Sequence, residues 1–414
     1  MDDNELAQRR RLARVFVPFA AGYYLSYLYR TVNAVISSDL TGAFSLQASD
    51  LGLLTSTFFL TFAAFQLPLG VLLDRYGPRR VEAVLLLIAG AGALWFARGA
   101  GLSDLLLGRG LIGLGVSACL MASFKAFSLW FPRSQLPMIN GWVMAAGGLG
   151  ALTATVPVEI LLGVTDWRGL FVGLAVVTFA AAALIYGVVP EPPDHRSTED
   201  LRSQIQGVIK VFRHPLFWRL APLTTVSQAT SLSVQGLWAG PWLYDVAALD
   251  RGGVAGVLLL MACAMVAGFL SLGALAYRLS RVGVPPLAVT VGGMVAFMVA
   301  QVLMLLGPSW PVVPRWMLFG FFGTTGILAY AVLSQHFDAR LAGRVNAAVN
   351  LLVFVGAFAA QWGVGLVVGL FPGEQPGRYA QAGYNTAFAL LLMLQVMALT
   401  WFWLAPRKQR RKTS

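Results

Sequence analysis

The segment Gly70–Arg80 reads GVLLDRYGPRR and separates two long apolar stretches, at about 50–73 and 81–99. Within eleven residues it places one acid, Asp74, and three arginines. A basic cluster between two apolar helices is typical of a short loop at the cytoplasmic face of a membrane. The segment therefore predicts two membrane-spanning helices joined by an inner loop.

The composition of the whole chain agrees with this prediction. Of 414 residues, 57% are hydrophobic and 12% are charged, whereas soluble domains carry about 25% charged residues. Glycine, at 44 residues, suits helices that pack closely in lipid. The two cysteines, Cys119 and Cys263, each lie in an apolar stretch, so no disulfide framework is indicated. These features exclude a soluble enzyme, a disordered chain and a secreted disulfide scaffold, and they predict an all-α membrane protein.

Twelve apolar stretches, called segments 1 to 12 below, are each long enough to span a bilayer as a helix of about 20 residues. They lie at about 14–37, 50–73, 81–99, 104–130, 137–163, 168–189, 215–244, 253–277, 284–306, 313–336, 344–371 and 383–404. A polar stretch divides them into six and six. The predicted organisation is a six-helix bundle over 1–190, a cytoplasmic linker over 191–214 and a second six-helix bundle over 215–414.

The distribution of lysine and arginine predicts the orientation. With both termini placed in the cytoplasm, 22 of the 30 Lys and Arg residues fall on the inner side and only 5 fall in outer loops. Such an excess marks cytoplasmic loops. The net charge of +12 is therefore assigned to the inner membrane face and its anionic lipids, and nucleic acid is not predicted as a partner.

The two halves resemble each other. Phe131 precedes Asn140 by nine residues, and Phe337 precedes Asn346 by nine, which is an offset of 206. An offset of 203 relates Gly70 and Arg75 to Gly273 and Arg278. Both offsets are close to half the chain length, so a duplicated six-helix unit is the simplest interpretation, and parallel repeats of this kind occur in transporters.

The loop sequence resembles the signature between helices two and three of the major facilitator superfamily. In that family the motif acts as a latch that holds one of two alternating states, and the matching residues here are Gly70, Asp74, Arg75, Gly77, Arg79 and Arg80. Asp74 would face the positive end of a helix in the other half. The resemblance implies a multi-pass protein of the bacterial inner membrane, closest in pattern to organic-anion and sugar-phosphate permeases. Two departures are Tyr277, where the second copy of the motif would have an acid, and the absence of a clear drug-antiporter signature in segment 5.

Segment 4 opens with a second resemblance to the family, Gly108, Arg109, Gly113 and Gly115. In many members this arginine takes part in energy coupling, which makes Arg109 a coupling candidate. The alternative is that Arg109 extends from the helix end to the outer surface. Asp39 and Glu159, near outer helix ends, are further coupling candidates. The three histidines lie in inner loops, so a buried histidine relay is not predicted.

The resemblance implies a solute cavity between the halves, lined mainly by segments 1, 4, 7 and 10. Segments 1 and 7 both carry polar and aromatic residues at steps of three and four, which places them on one helix face. Polar groups at this depth are costly and are candidates for function. The predicted substrate-binding residues are Tyr23, Tyr27, Arg30, Asn33, Lys125, Gln228, Ser231, Gln235, Trp238 and Tyr330.

Arg30 is the most informative of these residues. It lies about 7 Å from the midplane of segment 1 at 1.5 Å per residue. No acid lies deep within a helix to neutralise it, since Asp39 and Glu159 are near outer ends and Glu82 is near an inner end. A guanidinium prefers a bidentate oxyanion, so Arg30 is predicted to bind an anionic solute. The alternative is a structural arginine that binds Asp39, Glu159 or backbone carbonyls.

Lys125, in the inner half of segment 4, has two open interpretations. It completes an anion clamp with Arg30, or it extends to the cytoplasmic surface. Two intramembrane cations without deep acids resemble the pattern of organic-anion carriers.

The predicted function is secondary active transport of a small anionic or zwitterionic solute by a monomer in the lipid bilayer, by alternating access. No enzyme activity, cofactor or metal site is predicted. A proton-coupled exporter of amphipathic compounds is the nearest alternative, and it would have an apolar cavity and a buried acid. A membrane sensor that binds solute without transporting it is an alternative of another class.

Overall fold

The structure is a computed structural model that describes residues 11–132, 135–191, 201–306, 311–335, 337, 342–375 and 377–405. These ranges are helical almost throughout. In the first half, segment 1 contains the helices Leu12–Phe16, Val17–Thr31 and Asn33–Phe44, segment 2 is Ala48–Tyr76 and segment 3 is Pro78–Arg98. Segment 4 contains Leu102–Gly115 and Cys119–Trp130, segment 5 contains Leu136–Thr153 and Val156–Leu162, and segment 6 is Trp167–Val188. In the second half, segment 7 contains the helices Pro215–Ser233, Val234–Trp238 and Ala239–Asp245, segment 8 is Arg251–Arg281 and segment 9 is Pro286–Leu305. Segment 10 contains Val312–Gly323 and Gly326–Gln335, segment 11 is Ala342–Gly369 and segment 12 is Gln381–Leu404.

Ten of the twelve segments form helices long and apolar enough to cross a membrane within the described ranges. The remaining two are segments 1 and 7, whose helices are interrupted and carry the polar stripes. Segment 1 breaks after Thr31 and resumes at Asn33, and in segment 7 the stretch Val234–Trp238 is a π-helical turn. Helix irregularities of this kind are frequent at functional sites.

The turn between segments 2 and 3 follows from its sequence. The helix Ala48–Tyr76 ends at Gly77, whose φ of 78° lies in the left-handed region that favours glycine. Pro78 then takes the first position of the next helix, where its missing N–H is not needed. A Gly-Pro pair thus reverses the chain within two residues.

The two halves meet most closely at segments 2 and 11. Gly365 lies against the backbone carbonyl of Ala48, and Gly52 faces the carbonyl of Gln361. Because a side chain at Gly365 would collide with this carbonyl, the small residues allow the two helices to approach each other, as in other membrane helix pairs.

The apolar core is divided unevenly between the halves. One cluster of buried side chains fills the first half and continues into the outer parts of segments 7 to 12, reaching Trp238, Trp316 and Tyr384. A second cluster, which includes Phe217 and Phe402, occupies the inner parts of segments 7 and 9 to 12. The halves therefore share a core on the predicted outer side and have separate cores on the predicted inner side.

The predicted linker contains one helix. Leu201–Phe212 is amphipathic and packs against segments 2 and 11, with Val208 and Val211 buried in the second cluster. Residues 192–200, both chain termini beyond 11–405 and the loop at 307–310 lie outside the described residues.

Candidate functional site

A cavity of about 340 Å³ lies between the halves, in the inner part where they have separate cores. It extends from Arg30 and Gly236 toward Phe124, Phe269 and Asn346, near the predicted inner ends of segments 4, 8 and 11. Seven of the ten predicted binding residues line it, namely Tyr23, Tyr27, Arg30, Gln228, Ser231, Gln235 and Tyr330. The resemblance implied where the cavity lies, and the residue spacing on segments 1 and 7 selected six of these seven lining residues.

Arg30 is the only charged residue among the described residues that line the cavity. Its side chain is 7% exposed and lies among three aromatic rings, with Cζ 4.5 Å from the ring centroid of Tyr27, 5.5 Å from that of Phe62 and 5.4 Å from that of Phe354. Such cation–π contacts stabilise a guanidinium without neutralising it. Its Nε is fully enclosed and has no hydrogen-bond partner.

The carboxylates that could have paired with Arg30 bind another arginine. Arg251, at the start of segment 8, donates two hydrogen bonds to Asp39, from Nη1 at 2.8 Å and from Nη2 at 2.9 Å. Its Nε donates to Glu159 at 3.0 Å. This group of three, called the outer ion cluster below, joins segments 1 and 5 of the first half to the second half. Among the described residues Arg30 forms no ion pair, so its alternative pairing with Asp39 or Glu159 is not found.

Neutral polar side chains link the halves beside Arg30. Tyr330 donates to Oδ1 of Asn350 at 3.2 Å, and Nδ2 of Asn350 donates to Oε1 of Gln66 at 3.1 Å. The amide of Gln66 reaches the backbone oxygen of Ser117 at 3.4 Å. Gln66, Phe62 and Phe354 were not predicted as cavity residues. On segments 2 and 11 the residues of this group, together with Asn350, lie about one helical turn apart. This spacing was the sequence signal that could have identified them.

The family model described as Major Facilitator Superfamily matches residues 19–361 of this chain. The chain belongs to the major facilitator superfamily. The fold agrees with this assignment. A bacterial homologue of the human lysosomal transporter Spinster, crystallised in an inward-facing and unoccupied conformation, superposes with a TM-score of 0.75 at 17% identity, over 94% of this chain and 96% of that one.

Curated relatives in this superfamily include transporters of organic anions. A probable sulfoacetate transporter of Cupriavidus necator is 26% identical over 42% of this chain and 41% of its own length. A hexuronate transporter of Bacillus subtilis is 27% identical over 46% of this chain and 44% of its own length. The matches span a little under half the length of these relatives, so they support the family and a transport role more strongly than any particular solute.

Three of the predicted binding residues do not line the cavity of this superfamily member. Asn33 donates to the hydroxyl of Thr55 at 3.1 Å, and the indole of Trp238 donates to the backbone oxygen of Gln361 at 2.9 Å. Trp238 is the last residue of the π-helical turn, and Asn33 directly follows the break at Val32. Lys125 binds Asp74 at 2.7 Å and does not line the cavity, so the anion clamp with Arg30 is not formed.

The loop motif of the superfamily makes its contacts within the first half. Besides the Lys125–Asp74 pair, Arg79 donates to the backbone oxygen of Tyr186 at 2.9 Å from Nε, and Arg80 binds Glu191. The side chain of Arg75 lies over the ring of Tyr76. The expected contact between Asp74 and a helix end of the other half is therefore not made in this conformation, because Lys125 of segment 4 takes the carboxylate.

Two buried charged groups differ from expectation. Arg109 is fully buried over the ring of Phe58, and none of its three guanidinium nitrogens has a hydrogen-bond partner in the part of the chain that the structure describes, so it does not extend to the outer surface. Glu82 lies near the inner end of segment 3 as predicted, but it is fully enclosed between Gly22 and Cys119. The thiol of Cys119 is its hydrogen-bonding neighbour, so an enclosed acid without a cationic partner among the described residues is present where none was expected.

Proposed function

We propose that this protein carries a small organic anion across the bacterial inner membrane as a monomer, through twelve membrane spans with both termini in the cytoplasm. The observation that carries the proposal is the buried guanidinium of Arg30, which faces a cavity between the halves without an ion pair. A buried charge without a partner is costly. An oxyanion that binds both terminal nitrogens would remove that cost, which provides affinity at this position.

Alternating access follows from the uneven contacts between the halves. On the outer side a shared apolar core and the outer ion cluster hold the halves together, whereas the cavity separates them on the inner side. This arrangement supports an inward-open state. In the opposite state the outer ion cluster would separate and the inner ends of the bundles 1–190 and 215–414 would close. The motif residues Gly70, Asp74, Arg75, Gly77, Arg79 and Arg80 would bias that equilibrium.

The coupling step has three candidate residues. Asp39 and Glu159 would exchange their hydrogen bonds to Arg251 for hydrogen bonds to water when the outer side opens. Arg109 places a buried positive charge inside the first bundle. These roles remain proposals. Exchange of one anion for another would need no titrating residue.

A drug-type exporter is the second candidate, and it is favoured by the enclosed acid Glu82 as well as by the cavity wall. Much of the cavity wall is apolar, with Leu120, Met121, Phe124, Met144 and Phe269 among its residues. Arg30 indicates an anionic solute whether the protein imports or exports it. A sensor without transport differs from both candidates in one measurement, the flux of solute.

The test is solute flux in proteoliposomes. Vesicles loaded with an unlabelled organic acid are diluted into labelled acid, and the panel contains acetate, galacturonate, sulfoacetate and naphthylacetate. We expect trans-stimulated uptake of at least one anion, no uptake of its amide, and a loss of at least tenfold in Arg30→Gln. The matched control is Arg168→Gln, an arginine held by backbone oxygens of Ala97 and Gly99 at the outer side. Uptake that is equal in both variants would refute the proposal, and binding without flux would indicate a sensor.

A further inference from the structure

We propose that the solute is an amphipathic monoanion, with one carboxylate or sulfonate at Arg30 and an apolar or aromatic body extending toward Phe269. This inference rests on the proposed function and deepens it. It differs from the solutes in the names of the two relatives, since a hexuronate carries several hydroxyls and sulfoacetate carries two acidic groups.

The charge balance of the cavity limits the solute to one negative charge. Arg30 is the only charged residue among the described lining residues, and Lys125 is bound to Asp74. A second acidic group on the solute would lie in the cavity without a cation, at a large desolvation cost. A monoanion leaves no such group.

Most hydrogen-bonding groups in the cavity are already used or face sulfur. Tyr330, Asn350 and Gln66 bind one another. The amide of Gln235 donates to the sulfur of Met265 at 3.0 Å, and the hydroxyl of Tyr23 faces the sulfur of Met144 at 3.7 Å. Methionine sulfur is a weak acceptor, so these donors adjoin an apolar wall.

A polyhydroxylated solute would meet too few partners in this cavity. Among the described residues, no hydrogen bond is found for the side chains of the lining residues Gln228 and Ser231 or for Oδ1 of Asn346, and the first two lie against Gly326 and Gly323 of segment 10. Each hydroxyl that is enclosed without a partner lowers affinity, because its bonds to water are lost without replacement.

The remainder of the wall is suited to an apolar body. Leu120, Met121 and Phe124 on segment 4 face Phe269 on segment 8 and Ile327 on segment 10 across the same space. Methionine and aromatic side chains accept apolar groups of varied shape. At about 340 Å³, the cavity falls in the size range of small-molecule sites. One cation at the closed end and an apolar wall beyond it together match an amphipathic anion.

The test compares four probes on the purified full-length protein by thermal shift and calorimetry. Naphthylacetate is the amphipathic monoanion, naphthylacetamide its neutral counterpart, galacturonate the hydroxylated monoanion and sulfoacetate the small dianion. We expect naphthylacetate to bind at least tenfold more tightly than each of the others. Naphthylacetamide has the same apolar body, so it controls for partition into detergent. Its comparison with naphthylacetate also measures the contribution of the negative charge to binding without any mutation. We expect Arg30→Gln to reduce the affinity for naphthylacetate to that of the amide.

A matched pair of leucines tests the apolar wall. Leu120→Ala removes a cavity side chain, whereas Leu107→Ala changes a side chain on the same segment that is 50% exposed on the outside of the bundle. We expect about tenfold weaker binding of naphthylacetate in Leu120→Ala, as for loss of apolar contacts in a hydrophobic pocket. Leu107→Ala should not change it.

The outcomes separate the two proposals. If galacturonate or sulfoacetate binds more tightly than naphthylacetate and its binding depends on Arg30, the amphipathic solute is wrong and the anion site stands. If naphthylacetate and its amide bind equally, or if no anion binds up to the solubility limit, the anion site itself is wrong. An equal effect of both leucine variants would also overturn the proposed wall.

Discussion

The outer ion cluster gives a quantitative prediction about the conformational equilibrium. Arg251 is 41% exposed and makes three hydrogen bonds to Asp39 and Glu159, all between the two halves. Partly exposed ion pairs contribute about 0.2–1 kcal/mol each, so two pairs with bidentate geometry contribute about 1–1.5 kcal/mol after solvent screening. If the outward-open state lacks these bonds, Arg251→Ala should raise its population about five- to tenfold.

Accessibility of a buried position in the outer part of segment 1 measures this shift. Ser37 is 6% exposed and lines a second cavity of about 280 Å³, which lies between the halves beside Glu159 and Arg251. A cysteine at position 37, in a background with the exposed Cys263 changed to Ser, is labelled with an impermeant maleimide. We expect labelling to be about five- to tenfold faster in Arg251→Ala, with a smaller difference in 0.5 M salt, which screens the ion pairs.

The control for this experiment is Arg168→Ala. Arg168 is also an outer arginine, but its bonds to Ala97 and Gly99 lie within the first half. Its loss should leave labelling at position 37 unchanged. Equal labelling in Arg251→Ala and the parent, or an equal increase in Arg168→Ala, would refute the assignment of the outer ion cluster as a contact that closes the outer side.

Two further predictions concern charged groups inside the first half. Asp74→Asn and Lys125→Gln each break the same half-buried ion pair, so each should lower Tm by about 2–4 °C. The double variant should be no less stable than the less stable single variant. Additive losses of stability in the double variant would show that the two residues are not coupled. Glu82→Gln should leave Tm within about 2 °C of the parent, because the amide keeps the size of the side chain and can still bond to the thiol of Cys119, whereas Glu82→Ala should lower it by creating a cavity. A large loss in Glu82→Gln would reveal a partner for the charged form.

Six of the eight binding residues predicted on segments 1 and 7 line the cavity, and five of these six lie where the segments are regular helices. Tyr23, Tyr27 and Arg30 precede the break at Val32, and Gln228 and Ser231 precede the π-helical turn that begins at Val234. A π-helical turn changes the number of residues per turn, so positions beyond it face another direction. Trp238 is the last residue of this turn and Asn33 directly follows Val32, and neither residue lines the cavity.

The partners of the charged residues could not be read from spacing within one segment. Lys125 and Asp74 are 51 positions apart, on segments 4 and 2, and the side that each presents depends on how the bundle packs. The repeat that relates the two six-helix halves contains a further sequence signal for buried arginines. Arg315 follows Arg109 by 206 positions, and both are buried at matching places in the two halves, although Arg315 was counted as an outer-loop residue.

The positions of Arg30 and Asp39 on segment 1 explain why cargo and the outer contact can act on the same helix. Nine residues separate them, or about 13 Å along a helix, which is farther than an arginine side chain reaches to pair with the carboxylate. Asp39 is therefore available to Arg251 of the other half, while Arg30 faces the cavity. A cargo anion that also contacts segment 7 would join segment 1 to the second half at a second place. On the proposed mechanism, cargo binding and the release of Arg251 from Asp39 therefore act on the same segment, on the two sides of its break at Val32, and each would change the free energy of the other.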